Sequence, residues 1–268
     1  MLITPQSLQH WINHFYGYGS WKAPFWFVGY EESGGDLPEE VAEKLDYFYE
    51  VHSGATGPTL CLIRDLYQQV AFRVEGPRLE RFANFHDHRF GNHAVQHGFW
   101  KNMMAFIQGY QNKELPDDLL TYQKKSFATT QEALIQLYPL PAHNHAWYYG
   151  WLDVPQLPFL KTRSGYEIKV YPHRIHSILR AIQEHKPELV LMYGMENINT
   201  LKASVQEFFP RVKFKTVKAI KHVVPQYHRA DFNGTALLIT TQIPGLRHRR
   251  IETGFDWYEF GKMIGQLK

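Results

Sequence analysis

The sequence has little cysteine: Cys61 is the only one in 268 residues. One cysteine cannot form an internal disulfide framework, and it cannot ligate an iron–sulfur cluster that needs four thiolates. The chain also lacks an apolar run of about 18 residues, the length that would predict a membrane span. The first twenty residues do not combine a basic start with an apolar stretch, as a signal peptide does. We therefore expect a cytoplasmic protein with no membrane association.

Charge is low overall but unevenly distributed. The net charge is +3, yet residues 1–134 hold 11 Lys/Arg against 16 Asp/Glu and residues 135–268 hold 18 against 10. Eight of the acidic residues lie between Glu31 and Glu50. A basic C-terminal half suits a polyanionic partner such as DNA, although an ordinary solvated surface would have the same composition.

Four apolar runs are typical of buried parallel strands, because they are apolar throughout instead of alternating. They occupy residues 25–30, 133–140, 188–194 and 236–243. Amphipathic segments separate the later runs, and strands that alternate with helices predict an α/β fold. We predict a three-layer α/β/α sandwich around a central, mostly parallel four-stranded sheet. Residues 1–268 would form a single domain with an irregular, His- and aromatic-rich insertion at about 50–125.

The first apolar run ends in "GYEESGGD", where large apolar residues give way to carboxylates and glycines. Ligands of parallel α/β sheets bind beyond the carboxyl ends of the strands, so this turn is a candidate site. Glu31 and Glu32 could instead be first-turn residues of a helix, where negative charge is favourable.

The four strand ends together resemble the uracil-DNA glycosylase superfamily, over roughly residues 22–265 with about 50–125 unmatched. In that superfamily the carboxylate of the first turn positions the attacking water. The resemblance places Glu31 at this carboxylate, with Gly29, Tyr30 and Glu32 beside it in the base pocket. Ser33 stands where the uracil-specific branch has a tyrosine that excludes thymine.

The second strand, "QLYPLP", is similar to the Asn-Leu-x-Pro-Leu-Pro of many relatives, which puts Gln136 at the position of the asparagine that reads the base. The segment "PAHNHAWYYGW" that follows places Asn144 beside four aromatic residues. It could be a base-stacking wall or a hydrophobic flap.

The fourth strand ends in "QIPGLRHRR", where relatives have His-Pro-Ser-Pro-Leu. The resemblance places Gln242 at the histidine that stabilises the departing base and Leu246 at the residue that wedges into the duplex. His248 could substitute for the missing histidine. The DNA phosphates would contact the arginines of this segment, Arg247, Arg249 and Arg250.

The resemblance implies a DNA glycosylase-like enzyme that hydrolyses the N-glycosidic bond of a damaged or deaminated base flipped from DNA, with no cofactor. The alternative is a catalytically inactive member of the same fold that binds nucleic acid, nucleotide or a protein partner. A third hypothesis is a metal hydrolase, since His93 and His97 have the i, i+4 spacing of a helical zinc pair. A solvated histidine-rich segment explains the same residues, and we predict no metal site.

Overall fold

The computed structural model of the protein describes residues 3–32, 37–73, 81–142, 147–220, 223–245 and 255–267. Its helices in these ranges are α1 (Pro5–His14), α2 (Pro38–His52), α3 (Ile63–Gln68), α4 (Phe85–Phe90), α5 (Gly98–Tyr110), α6 (Leu119–Lys125), α7 (Arg163–His185), α8 (Ile198–Phe208) and α9 (Trp257–Gly265). Two 3₁₀ helices cover Tyr148–Trp151 and Pro158–Lys161. Of the helices so described, none is both long enough and apolar enough to cross a membrane.

The strands form one mixed sheet. They are β1 (Phe15–Tyr18), β2 (Phe25–Glu31), β3 (Thr59–Cys61), β4 (Glu132–Tyr138), β5 (Leu189–Tyr193), β6 (Lys215–Val217), β7 (Tyr227–Phe232) and β8 (Thr235–Ile239). Their order is β3-β1-β4-β2-β5-β8-β7-β6. Four neighbouring pairs are parallel and three are antiparallel. The α/β class is confirmed, but the prediction of a mostly parallel, four-stranded sheet is wrong.

The four predicted strands are the centre of this sheet, β4-β2-β5-β8, and every pair within this block is parallel. They were predictable because each is covered on both faces and therefore apolar throughout. Three of the four outer strands have only three or four residues, too few to show a periodic pattern. The fourth, β7, joins β8 through Asn233 and Gly234, both with positive φ. Asn-Gly is a strong hairpin signal that the sequence did contain.

Helices cover both faces of the sheet. On β2, Phe27 contacts Phe106 of α5, whereas the preceding residue, Trp26, contacts His185 of α7. Successive side chains of a strand point to opposite faces, so α5 and α7 lie on opposite sides. Residues 50–125 are not a separate body: β3 joins the sheet, and α5 contributes to the same continuous core of buried apolar residues.

Helix α9 packs against α5 at unusually short range. A Cβ on Gly261 would lie 1.9 Å from the carbonyl oxygen of Phe106, and one on Gly109 would lie 2.0 Å from that of Tyr258. Real Cβ atoms do not approach oxygen so closely, so both positions require glycine for this contact. The two helix backbones therefore touch, and α9 holds α5 against the sheet.

Arg174 of α7 fixes the end of β4. Its side chain is 1% exposed and stands over the ring of Tyr16, 3.5 Å from the ring centroid. The guanidinium donates to the backbone carbonyl oxygens of Phe15, Gln136 and Leu137. A buried cation needs such partners, and here they lock the antiparallel β1 to the carboxyl end of β4.

Candidate functional site

A cavity of about 460 Å³ opens at the carboxyl ends of the central strands, between the sheet and α5. The sheet contributes Tyr30, Glu31, Glu32, Leu134, Gln136 and Tyr193 to its lining. The other side is formed by His97, Phe99, Trp100 and Met103, and α7 adds Arg163 and Glu167. Its volume lies in the range of about 300–1,000 Å³ that is usual for small-ligand sites.

The floor of this cavity is a row of three residues. The strand register aligns Gly29 of β2 with Gln136 of β4 on one side and with Tyr193 of β5 on the other. A Cβ on Gly29 would lie 2.6 Å from Tyr193 Oη and 3.1 Å from Gln136 Oε1. Because Gly29 has no side chain, Tyr193 and Gln136 can extend their polar groups over it.

Gln136 is the residue of this row with an unmet hydrogen bond. Its side chain is 6% exposed, and its Oε1 has no hydrogen-bond partner within the described part of the chain. Leaving a buried carbonyl oxygen unpaired costs about 1–3 kcal/mol, which a ligand donor or a water molecule would recover. Gln136 therefore lines the cavity with an oxygen that is ready to accept a hydrogen bond.

Glu31 is held by an arginine that the sequence did not predict. Arg163 Nη2 donates to both carboxylate oxygens of Glu31 at 2.8 Å, and its Nε donates to Glu167 at 2.9 Å. Burial alone would lower the pKa of Arg163, but the bonds to Glu31 and Glu167 outweigh it and raise the pKa further. The arginine is thus charged, and it fixes the Glu31 carboxylate in the cavity wall.

Glu32 belongs to a separate, buried ion pair. Its Oε1 accepts from Lys44 Nζ at 2.8 Å, and both side chains are about nine-tenths buried. Tyr18 donates to Oε2 at 3.0 Å, and the hydroxyl of Tyr67 lies 3.5 Å from Oε1. Burial and the nearby charge of Glu32 raise the pKa of both tyrosines, so both remain hydrogen-bond donors. The oxygens of Glu32 are therefore occupied by the protein itself.

The cavity wall opposite the sheet contains His97, which the sequence presented only as half of a possible zinc pair. Residues 93–97 are not helical, so the i, i+4 geometry does not form. Instead His97 is the N-cap of α5, and its Nδ1 accepts from the backbone N–H of Trp100 at 3.4 Å. Burial lowers the pKa of His97 to about 3, and Arg89 and His88 nearby contribute in the same direction. His97 is therefore a neutral imidazole.

At the fourth strand the structure shows the backbone of Gln242 in a structural role. Its carbonyl oxygen accepts from the N–H of Gly194 at 3.0 Å, and its N–H donates to Thr240 Oγ1 at 3.2 Å. The neighbouring residue, Ile243, lines the cavity, and the Gln242 side chain is not part of the lining. The remaining candidates lie outside the described residues: Ser33, Asn144, Leu246, Arg247, His248, Arg249 and Arg250.

The described residues do not form a metal centre of protein side chains. They contain no group of three or more His, Cys, Asp or Glu side chains arranged to hold an ion. In the histidine-rich segment His88 is buried against the rings of Phe72 and Phe82, while His93 is exposed. These histidines thus have separate surroundings and share no centre.

The sequence did not indicate that three residues, Arg163, His97 and Tyr193, line the cavity. The one available signal was the position of His97 directly before an apolar helical segment, where an N-cap is expected. Comparison of the chain with models of known protein families, with curated proteins and with solved structures gave no significant match.

Proposed function

We propose that the protein hydrolyses the N-glycosidic bond of a damaged or deaminated base that is flipped from DNA into the cavity at the ends of β2, β4 and β5. The observation that carries this proposal is the convergence of two groups on one cavity. Glu31 presents a fixed carboxylate, and Gln136 presents a buried amide with an unpaired oxygen. The first suits the sugar side of such a bond, and the second suits the base.

The charge of the cavity supports this chemistry. As the bond breaks, positive charge develops on the sugar, and negative groups placed in advance stabilise it. Four glutamates line the cavity, Glu31, Glu32, Glu167 and Glu196; two cations face them, Arg163 in the lining and Lys44, which is paired with Glu32. Because Arg163 occupies both oxygens of Glu31, we assign Glu31 to electrostatic stabilisation and to orienting water more than to strong base catalysis.

The aromatic side chains of the cavity suit a flat ligand. Tyr30, Phe99 and Trp100 are all part of the lining, and a flipped base is usually held between aromatic or apolar side chains. Gln136 offers both an acceptor and a donor to the edge of such a ring. The absence of a side chain on Gly29 lets Tyr193 Oη and Gln136 Oε1 reach over the floor, where both can meet the edge of the ring.

One observation favours the alternative, a binding protein without catalysis. Both oxygens of Glu31 already accept from Arg163, so the position of this carboxylate is explained without any role in catalysis. In that case the cavity would recognise a base or nucleotide and leave it intact.

Base release from oligonucleotides separates the two functions. We would incubate the protein with single- and double-stranded oligonucleotides containing uracil, hypoxanthine or xanthine, cleave abasic sites with alkali and resolve the products on gels. An enzyme releases at least one base, and the Glu31→Gln variant releases it far more slowly. Binding of these oligonucleotides without release of any base would overturn the enzymatic proposal and support the alternative.

A further inference from the structure

The ring of His97 is oriented by contacts on several sides. One ring face stacks on Trp100, with centroids 4.5 Å apart, and Phe99 meets the ring edge-on at 5.8 Å. Nδ1 faces the N-terminal end of α5, where it accepts from the backbone N–H of Trp100. Nε2 has no hydrogen-bond partner in the described part of the chain, and His97 lines the cavity.

Gln123 of α6 holds the backbone on which this ring sits. The side chain is 0% exposed, and its Oε1 accepts from the backbone N–H of His97 at 2.9 Å and from Gln96 Nε2 at 2.7 Å. Its Nε2 donates to the carbonyl oxygens of Arg89 and Val95 at 2.7 and 3.1 Å. A fully satisfied, buried amide of this kind makes the position of His97 rigid.

The tautomer of His97 follows from these contacts. A neutral imidazole has one donor nitrogen and one acceptor nitrogen, and Nδ1 is the acceptor because a backbone N–H points at it. Nε2 therefore carries the proton. The positive end of the α5 dipole disfavours a second proton, so the ring is a neutral hydrogen-bond donor, as a histidine at a helix N-terminus can be in an active site.

We propose that His97 is a catalytic residue that donates a hydrogen bond from Nε2 to the atom of the base on which negative charge develops during bond cleavage. This inference rests on the proposed function. The C1′–N bond breaks, its electron pair leaves with the base, and the oxygen of a water molecule bonds to C1′ and releases a proton to solvent. His97 stabilises the departing anion and transfers no proton. In this proposal the group that stabilises the departing base comes from residues 50–125, and not from Gln242 or His248 at the end of the fourth strand.

The decisive variant is His97→Asn. Asparagine is a good N-cap whose short side chain can accept from the helix N–H, but it removes the Nε2–H donor. We expect kcat for base release to fall by roughly 10²–10³-fold with KM changed little, because removing one such donor has this effect in other enzymes. His97→Gln, whose amide N–H reaches further, should recover part of the rate. His93→Asn, at an exposed histidine, is the matched control and should leave the rate unchanged.

The outcomes separate this inference from the proposed function. If the wild-type protein releases a base and folded His97→Asn does so at the same rate, His97 is not the donor and the function stands. If the wild type releases no base, a binding experiment tests the donor role of His97. Uracil, hypoxanthine and xanthine are titrated into protein with ¹⁵N-labelled histidine. A shifted His97 Nε2–H resonance with any base supports the donor role, and no shift with any of them overturns it. Thermal unfolding of each variant shows whether it is folded.

Discussion

Arg163 and Glu31, 132 residues apart in the sequence, are joined through one nitrogen, Nη2, which lies 2.8 Å from both carboxylate oxygens. The next residue, Glu32, is bonded to Lys44 instead. Two adjacent glutamates therefore have different partners and different surroundings, and substitution separates their roles.

Glu31→Gln should impair the reaction and not binding. The change removes the charge that stabilises the sugar cation and orients water, so we expect base release to slow on the order of 10²–10³-fold. DNA affinity should hold or tighten, because a negative charge near phosphates is lost. Glu167→Gln, which removes the other partner of Arg163, is the control and should have a much smaller effect on the rate. If Glu31→Gln and Glu167→Gln slowed base release equally, the role of Glu31 would be only to hold Arg163 in place.

Glu32→Gln should instead lower stability. It leaves the ammonium of Lys44 buried without its counter-charge, which typically costs about 3–5 kcal/mol. Replacing both residues, Glu32→Gln with Lys44→Met, should recover much of that free energy, since no unpaired charge then remains. Urea denaturation of the wild type and of both variants measures these differences in the free energy of unfolding. A double variant no more stable than Glu32→Gln alone would show that the ion pair is not the source of the loss.

Gly29→Ala should close the floor of the cavity. The new methyl would lie 2.6 Å from Tyr193 Oη, so Tyr193 and Gln136 must move into the space where a ligand would bind. We expect loss of base binding in titration calorimetry with only a modest loss of stability, since both obstructing groups are the ends of side chains. Gly54→Ala, with nothing within 4 Å of the added Cβ, is the control.

Salt dependence tests the DNA contacts assigned to the segment after the fourth strand. The variant replaces Arg247, Arg249 and Arg250 with alanine. Each phosphate contact contributes about 0.9 to the slope of log affinity against log salt, so the slope should fall by up to roughly 2–3. The control replaces Lys213, Lys215 and Lys218, exposed lysines on and beside β6. If only the control flattens the slope, the DNA lies along the β6 edge instead.

Because of Glu132, the free energy of unfolding should fall as pH rises. Burial raises its pKa from 4.5 to about 7, although bonds from Tyr122 and the Ala128 N–H oppose the rise. The folded state keeps the proton that the unfolded state releases, so this contribution is present below about pH 4.5 and is lost as pH rises to about 7. Relative to Glu132→Gln, the wild type should lose about 3 kcal/mol over this range in urea denaturation. Parallel curves for both proteins would contradict this.

The parts of the fold that the sequence predicted are those with a continuous pattern. The central strands are apolar throughout, and the amphipathic segments between the later ones form α7 and α8. The outer strands are short or polar, and their pairing depends on partners distant in sequence. No pattern within "FYGY" indicates that it runs antiparallel to β4.

The same limit applies to the site. Glu31 could be named because it ends an apolar strand, where side chains of a parallel sheet converge, and Gln136 because "QLYPLP" resembles the second strand of the glycosylase superfamily. Arg163 begins a helix and His97 precedes one, and neither stretch is distinctive in sequence. Their approach to the cavity depends on how α5 and α7 cover opposite faces of the sheet, which no local pattern specifies.

Because of the glycine contacts between α5 and α9, helix α5 can reach its final packing only after α9 has been synthesised. Helix α5 supplies Phe99, Trp100 and Met103 to the cavity, yet the surface that supports it from outside is formed by residues 257–265. Until the intervening 150 or so residues have been translated, the side of α5 that α9 covers lacks this partner. The cavity wall therefore becomes final only after almost all of these 268 residues have been made.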